Sequence, residues 1–250
     1  MTYGCCHLSL VPVRESASDK SEMVNQLLFG DVFEIIENKP KWVKIKSTFD
    51  NYEGWIDAKQ YKLLEQNLFE NFKNNQLHCS TDMVDYAQDS NDHLIPILLG
   101  SSVKNMNSIG YNSESQLSNG KIQRDKIVQT ALLYLNSPYL WGGKSPFGID
   151  CSGLTQMVYK ICGIQLKRDA SEQAKQGENL SFIEEALPGD LAFFDNSEGD
   201  IIHVGIIMKN NYIIHAHGKV RIDRIDHTGI FNNNIKNYSH KLRVIKHISK

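Results

Sequence analysis

The sequence has no excess of charge of either sign: 27 Lys and Arg stand against 29 Asp and Glu, a formal net charge of −2. The signs are interspersed, which removes the electrostatic footprint of a protein built to bind nucleic acid or an anionic membrane. It also lacks any run near the ~18 consecutive apolar residues of a membrane-spanning helix. The first residues, Met1-Thr2-Tyr3-Gly4-Cys5-Cys6-His7, have neither the basic start nor the apolar centre of a secretory leader. Cysteine is sparse and unpatterned. Five residues, an odd number without framework spacing, exclude a disulfide scaffold and fit a reducing compartment, so a cytoplasmic location is expected. Cys5-Cys6-His7 and His78-Cys79 lack metal-ligand spacing. His215-Ala216-His217 puts two imidazoles on one strand face, but no carboxylate or cysteine lies at a persuasive distance. No metal or cofactor is expected.

What is present is an ordinary globular composition, 41% hydrophobic over 250 residues, enough for one to three domains. From Leu8 to about Leu64 short apolar stretches alternate with turn signals: Leu8 to Val13, Gln26 to Phe29, Val32 to Ile36, Trp42 to Ile45, and Trp55-Ile56. Four or five strands in this space predict a small β-barrel over residues 1–64. Residues 65–120 are rich in Asn, Asp and Ser. Leu94 to Leu99 reads as one strand of a second, degenerate barrel, and Asn105 to Gly120 as linker. From Lys121 the pattern changes: Ile122, Ile127, Ala131, Leu132 and Leu135 predict a helix that stops before Pro138. After Pro188-Gly189-Asp190 come strands at Leu191 to Phe194, Ile201 to Met208 and Tyr212 to Ala216, with weaker signals at Arg221 to Asp223 and Leu242 to Ile245. Helices followed by an antiparallel sheet make residues 121–250 an α+β domain.

Two stretches in this last part carry chemistry. Cys151 opens a helix in which Leu154, Val158 and Ile161 recur at i, i+4 and i+7. At a helix start, unpaired N–H groups and the macrodipole favour a thiolate. Cys162, on the apolar side of the same helix, reads as core. Downstream, period-2 alternation puts His203 and Gly205 on one face of their strand, and His215 and His217 on one face of the next. If the turn between them holds three residues, Lys209-Asn210-Asn211, His203 has His215 as its diagonal neighbour. A two-residue turn would put the histidines on opposite faces. Cys151, His203 and His215 suit the roles of nucleophile, base and orienting group, with His217 to spare.

At these residues the chain resembles the NlpC-type papain-like cysteine peptidases of bacterial cell-wall metabolism. The likeness rests on Pro138-Tyr139-Leu140-Trp141-Gly142-Gly143, Asp150-Cys151-Ser152-Gly153-Leu154, Pro188-Gly189-Asp190-Leu191, His203-Val204-Gly205-Ile206 and Ile214-His215-Ala216. It implies a papain-like catalytic domain with Cys151, His203 and His215 as the catalytic set. Ser21 to Gly30 and Tyr52-Glu53-Gly54-Trp55 are similar to the SH3-like barrels of one branch, the γ-D-glutamyl-L-diamino-acid endopeptidases (dipeptidyl-peptidase VI, YkfC-like). That branch accepts the free amine of its substrate's L-alanine. By matched position the substrate-binding residues are Glu22, Tyr52, Tyr139, Asp150 and Ser152, with Asp169 or Ser171 from the loop Arg168-Asp169-Ala170-Ser171. The implied partner is a small murein peptide, with no nucleic acid or membrane, and the expected state is a monomer. Two alternatives stay open: an exported hydrolase acting on intact wall, and a wall-binding module with an inactive catalytic domain.

Overall fold

The computed structural model describes residues 1–75 and 77–249. Its contacts divide the chain into two units, Met1–Lys121 with Trp141–Pro146, and Ile122–Leu140 with Phe147–Lys250.

The first unit is built on strands β1 (Thr2–Cys5), β2 (Leu10–Arg14), β3 (Met23–Leu28), β4 (Val32–Asn38), β5 (Trp42–Ser47), β6 (Glu53–Asp57) and β7 (Lys62–Leu64), in sheet order β3-β2-β6-β5-β4-β1-β7. Alternation decides which side chains go inside. Val11 and Val13 of β2 and Val43 and Ile45 of β5 point into a core with Leu27, Phe33 and Ile56. The sheet buries a second face as well. Tyr3 and Cys5 of β1, with Phe29 and Val32, pack on Phe69 and Phe72 of helix α1 (Gln66–Lys73). The same cluster takes in Ala87 and Ile97 from the three-stranded sheet of β8 (Val84–Asp89), β9 (Leu94–Leu98) and β10 (Tyr111–Asn112). Tyr3 and Phe69 stack with ring centroids 3.9 Å apart, and Tyr111 meets Phe29 edge-on at 5.5 Å.

Residues 65–120 thus share the core of the barrel they follow, and their described strands stop short of closing a barrel of their own. The stretch that reads as linker, Asn105 to Gly120, holds a short 3₁₀ turn at Met106–Ile109 and brings Met106 and Tyr111 into that core. Its polar composition conceals two apolar anchors.

The second unit opens with helix α2 (Ile127–Leu132); turns at Leu133 to Leu135 carry the chain on to Asn136, at a φ of 69° two residues before Pro138. Strand β11 (Lys144–Ser145) belongs to the first unit; in the second, the two-residue strand β12 (Gly148–Ile149) precedes α3 (Cys151–Ile161). All eleven residues of α3 are buried. The apolar stripe of Leu154, Val158 and Ile161 is therefore one side of a helix enclosed all round. Two of its polar side chains find partners inside: Thr155 Oγ1 donates to Gln173 Oε1 at 2.7 Å, and Gln156 Nε2 to the Leu166 carbonyl at 3.1 Å. Cys162, at the helix end, is buried beside Thr130, as expected of a core thiol.

A short helix α4 (Ala170–Gln173) leads to strands β13 (Glu178–Leu180), β14 (Leu191–Asp195), β15 (Ile201–Met208), β16 (Tyr212–His217), β17 (Lys219–Ile225), β18 (Gly229–Asn232) and β19 (Asn237–His247). The sheet runs β13-β19-β14-β15-β16-β17-β18, and an extra β18–β19 pairing closes it into a barrel. One face carries the core of Ala192, Phe194, Ile207, Ile213, Ile225, Ile230 and Ile245. α3 packs against β15 and β16.

Gly30 joins the barrel to the segment after β9. Its φ is 83°, and a Cβ there would sit 1.8 Å from the Ser102 carbonyl oxygen. Replacing Gly30 with Ala should destabilise the first unit by at least about 1–3 kcal/mol from the forced backbone alone, read as a lower urea midpoint. An unchanged midpoint would show that residues 99–103 do not pack on the barrel.

Candidate active site

The hairpin of β15 and β16 has the turn that the histidines require. Met208 pairs with Tyr212 and Gly205 with His215, which leaves Lys209, Asn210 and Asn211 in the turn. Asn210 and Asn211 adopt φ near 60°, a conformation that Asn tolerates better than most residues. His203 and His215 therefore share a face, and their rings meet: His203 Nε2 lies 2.8 Å from His215 Nδ1. Gly205 makes room, since a Cβ there would come within 2.9 Å of His215 Cβ.

The chain of contacts continues beyond the residues legible in the sequence. His215 Nε2 is 3.0 Å from Asp223 Oδ2, and Arg221 grips that carboxylate through Nε at 2.6 Å and Nη2 at 2.9 Å. Burial pushes the Asp223 carboxyl up, but the hydrogen bonds from His215 and Arg221 outweigh it and hold the group below its ordinary value. An ionised Asp223 accepts only, so His215 donates from Nε2 and accepts at Nδ1. His203 then donates from Nε2, which leaves its Nδ1 as a lone pair. Burial, then the neighbouring His215, His240 and His217, hold His203 well below the ordinary imidazole value. Burial also lowers His215, against the opposing pull of Asp223.

His240 was not singled out by the sequence. β18–β19 pairing opposes it to Ile230, and its ring stacks on His203 with centroids 4.1 Å apart. Burial, aided by His215 and His217, brings it down to about 4. His217 is exposed, with its ring 6.4 Å from His203.

Cys151 is the first residue of α3, and the Val204 N–H, next along the chain from His203, hydrogen-bonds its thiol. The expectation of a ready thiolate is corrected here. Burial pushes the thiol up to about 12, and the Asp150 carboxylate adds to the rise; the Val204 N–H, Arg168 and the Ser152 N–H pull the other way without prevailing. The helix start is occupied by a negative charge, because Asp150 is the N-cap and accepts from the Gly153 N–H at 2.6 Å. A second anion beside it is unfavourable in a dry site.

Asp150 and Ser152 are both held by Arg168, which reaches Asp150 at 2.6 and 3.0 Å and Ser152 Oγ at 2.8 Å. Tyr139 adjoins the same group: burial, then Cys151 and Asp150, push its hydroxyl up to about 12. Asp169 and Ser171 are exposed at the start of α4. Glu22 and Tyr52 lie in the first unit, where Glu22 is exposed and accepts a hydrogen bond from Trp141 Nε1. The second unit thus brings together Cys151, His203, His215, Tyr139, Asp150 and Ser152. It adds Arg168, quoted in the sequence only as the first residue of a matched loop, and Asp223, Arg221 and His240, whose only signal was polarity within strands.

Residues 136–238 match the NlpC/P60 family, and residues 13–60 the bacterial dipeptidyl-peptidase Sh3 domain. The chain carries an NlpC/P60 domain. It is a cysteine-type hydrolase. A γ-D-glutamyl-L-lysine dipeptidyl-peptidase of Bacillus cereus is 25% identical over 229 residues, covering 80% of this chain and 68% of that one. Dipeptidyl-peptidase 6 of Lysinibacillus sphaericus is 28% identical, over 78% of this chain and 80% of its own. A crystal structure of an NlpC/P60 family protein from Bacillus cereus superposes with a TM-score of 0.75 at 18% identity, covering 98% of this chain and 99% of that one. At that identity the likeness is one of fold. No described helix of this chain is long and apolar enough to cross a membrane.

A thiol held near 12 alkylates slowly. Mass spectrometry of the Cys151 peptide after iodoacetamide should show no inflection in rate between about pH 6 and about pH 9, unlike a free thiol near ~8.5. An inflection in that range would overturn the neutral resting thiol.

Proposed function

We propose that this chain is a cysteine endopeptidase that hydrolyses the γ-D-glutamyl–L-diamino-acid bond of murein peptides bearing a free N-terminal L-alanine, releasing L-Ala-γ-D-Glu. It works as a cytoplasmic monomer on peptides already cut from the cell wall, as part of their recycling. The observation that carries this reading is the buried relay from His203 through His215 to Asp223, beside a Cys151 thiol that the N–H of the next residue after His203, Val204, hydrogen-bonds, in a chain that also carries a dipeptidyl-peptidase Sh3 domain.

Cys151 Sγ attacks the γ-carbonyl carbon while its proton passes to His203 Nδ1. With a thiol held high and an imidazole held low, that transfer accompanies the attack rather than preceding it. The Cys151 N–H, in the first turn of α3, is the proposed donor to the oxyanion. His203 then returns the proton to the leaving amine of the diamino acid. Water hydrolyses the thioester by the same route in reverse. His215 orients His203, and Asp223 fixes the tautomer of His215. Tyr139, Asp150, Ser152, Asp169 and Ser171 are the proposed contacts to the peptide in this unit. Glu22 and Tyr52 are the proposed acceptors of the free amine, a charge-assisted recognition that an acylated amine would lose.

Incubation with L-Ala-γ-D-Glu-diaminopimelate, amine free and acetylated, tests the reading. The free peptide should be cut and the acetylated one should lose at least about 100-fold in kcat/KM, as for a site left with an unpaired polar group. Equal cleavage of both would remove the roles given to Glu22 and Tyr52. Loss of all cleavage in Cys151→Ala is expected, and its retention would end the assignment of the nucleophile.

Asp223→Asn tests the relay. The amide can donate to His215 Nε2, which reverses both tautomers and leaves His203 Nδ1 protonated. kcat should fall by roughly 10²–10⁴-fold with KM little changed. Equal effects on kcat and KM would indicate a structural role only.

A further inference from the structure

We propose that His203, His215 and His240 form a binding site for a late first-row divalent cation, zinc foremost, and that occupancy switches the peptidase off. The three come from separate strands, β15, β16 and β19, and one nitrogen from each lies within 4.8 Å of the other two. Imidazoles on a tetrahedral zinc, at about 2.0–2.1 Å from the metal, stand about 3.4 Å apart, so the farther donors draw in by up to about 1.4 Å, the closest pair spreads by about 0.6 Å, and His240, stacked nearly parallel on His203, turns out of the stack to aim a nitrogen at the ion. His203 Nε2 and His215 Nδ1 are already 2.8 Å apart across a shared proton, which the cation would replace. His240 is oriented through Nδ1 by Ser239 Oγ at 2.8 Å, which leaves Nε2 as its donor.

Support around the ligands is in place. His215 donates its other nitrogen to Asp223, the carboxylate–histidine pairing that fixes a metal-binding imidazole and raises its basicity. Three neutral nitrogens suit zinc, copper or nickel and offer nothing to calcium or magnesium, which require oxygen. The fourth position is left to water. His217, the partner that sequence spacing offers to His215, is outside the trio.

The regulatory half of the proposal rests on the reading of His203 as the base; the site itself does not. A cation on His203 Nε2 forces the remaining ring proton onto Nδ1, the atom that must receive the proton of Cys151. Metal binding and turnover therefore exclude one another.

Titration of the full-length Cys151→Ala protein with Co²⁺ and Zn²⁺, followed by calorimetry and visible absorption, tests the site without the thiol. One ion per chain should bind, with the visible bands of a nitrogen-ligated cobalt. His240→Phe in that background should weaken binding on the order of 100-fold or more, beyond the loss of an outer partner, while His217→Phe should leave it unchanged. No binding, or binding that depends on His217 and not on His240, overturns the proposal. In the wild type, zinc should inhibit hydrolysis and a chelator should restore it; full activity with the site saturated would overturn the switch. A protein that binds cobalt through the trio yet cleaves no murein peptide in chelator would overturn the proposed function and leave the metal site standing.

Discussion

The hydrogen bond between His203 and His215 exists only because three residues turn the β15–β16 hairpin, and the rest of the site follows from that register. One residue fewer would send one imidazole to the opposite face. Asn210 and Asn211 supply the left-handed backbone that the turn needs, and Gly205 supplies the space beside His215. Two buried imidazoles in contact still leave polar atoms to satisfy. Asp223 takes the outward nitrogen of His215, and Arg221, only partly buried, neutralises Asp223. The relay therefore begins in the dry interior and ends on a cation at its margin. A network of this kind is fully paired or costly, so each member constrains the next.

The same burial that orders the relay raises the energy of every charge within it. The thiol of Cys151 is held up and the imidazole of His203 is held down, both by desolvation first. The N-cap shows the compromise in a single residue. α3 needs an acceptor for its first N–H groups, and Asp150 provides one, but its charge stands beside the sulfur that the helix start would otherwise favour as an anion. Arg168 offsets that charge with a two-pronged grip. The outcome is a thiol held in its protonated form, which in the proposed mechanism gives up its proton as it attacks a carbonyl.

What the sequence made legible was local. The strands of the hairpin, the shared face of His203 and His215, and Cys151 at a helix start all depend on spacing within a few residues, and periodicity reports such spacing directly. Asp223 and Arg221 were visible only as a weak strand, because their partner is set by the β16–β17 register, in which His215 faces Arg221 and Ile213 faces Asp223. His240 enters through closure of the barrel by β18 and β19, a pairing with no local signature. In the first unit the same limit applies. Tyr3 and Tyr111 are more than a hundred residues apart and meet in one core, so each stretch alone reads as an end or a linker. The thiolate expectation failed for a different reason: position in a helix is readable from a sequence, whereas the enclosure of that helix on every side is not.

The proposed catalysis and the proposed metal site draw on one resource, the lone pairs of clustered imidazoles. A base for Cys151 requires that His203 keep one nitrogen unprotonated, and the Asp223–His215 pair selects Nδ1. The identical pair would support His215 as a ligand in the proposed site, and closure of the barrel sets a His240 nitrogen within 4.8 Å of the other two. The two uses differ only in which nitrogen of His203 holds the proton. Apolar burial, by keeping all three rings neutral, favours both states over a protonated cluster, so selection between them falls to the cation and the substrate rather than to the fold.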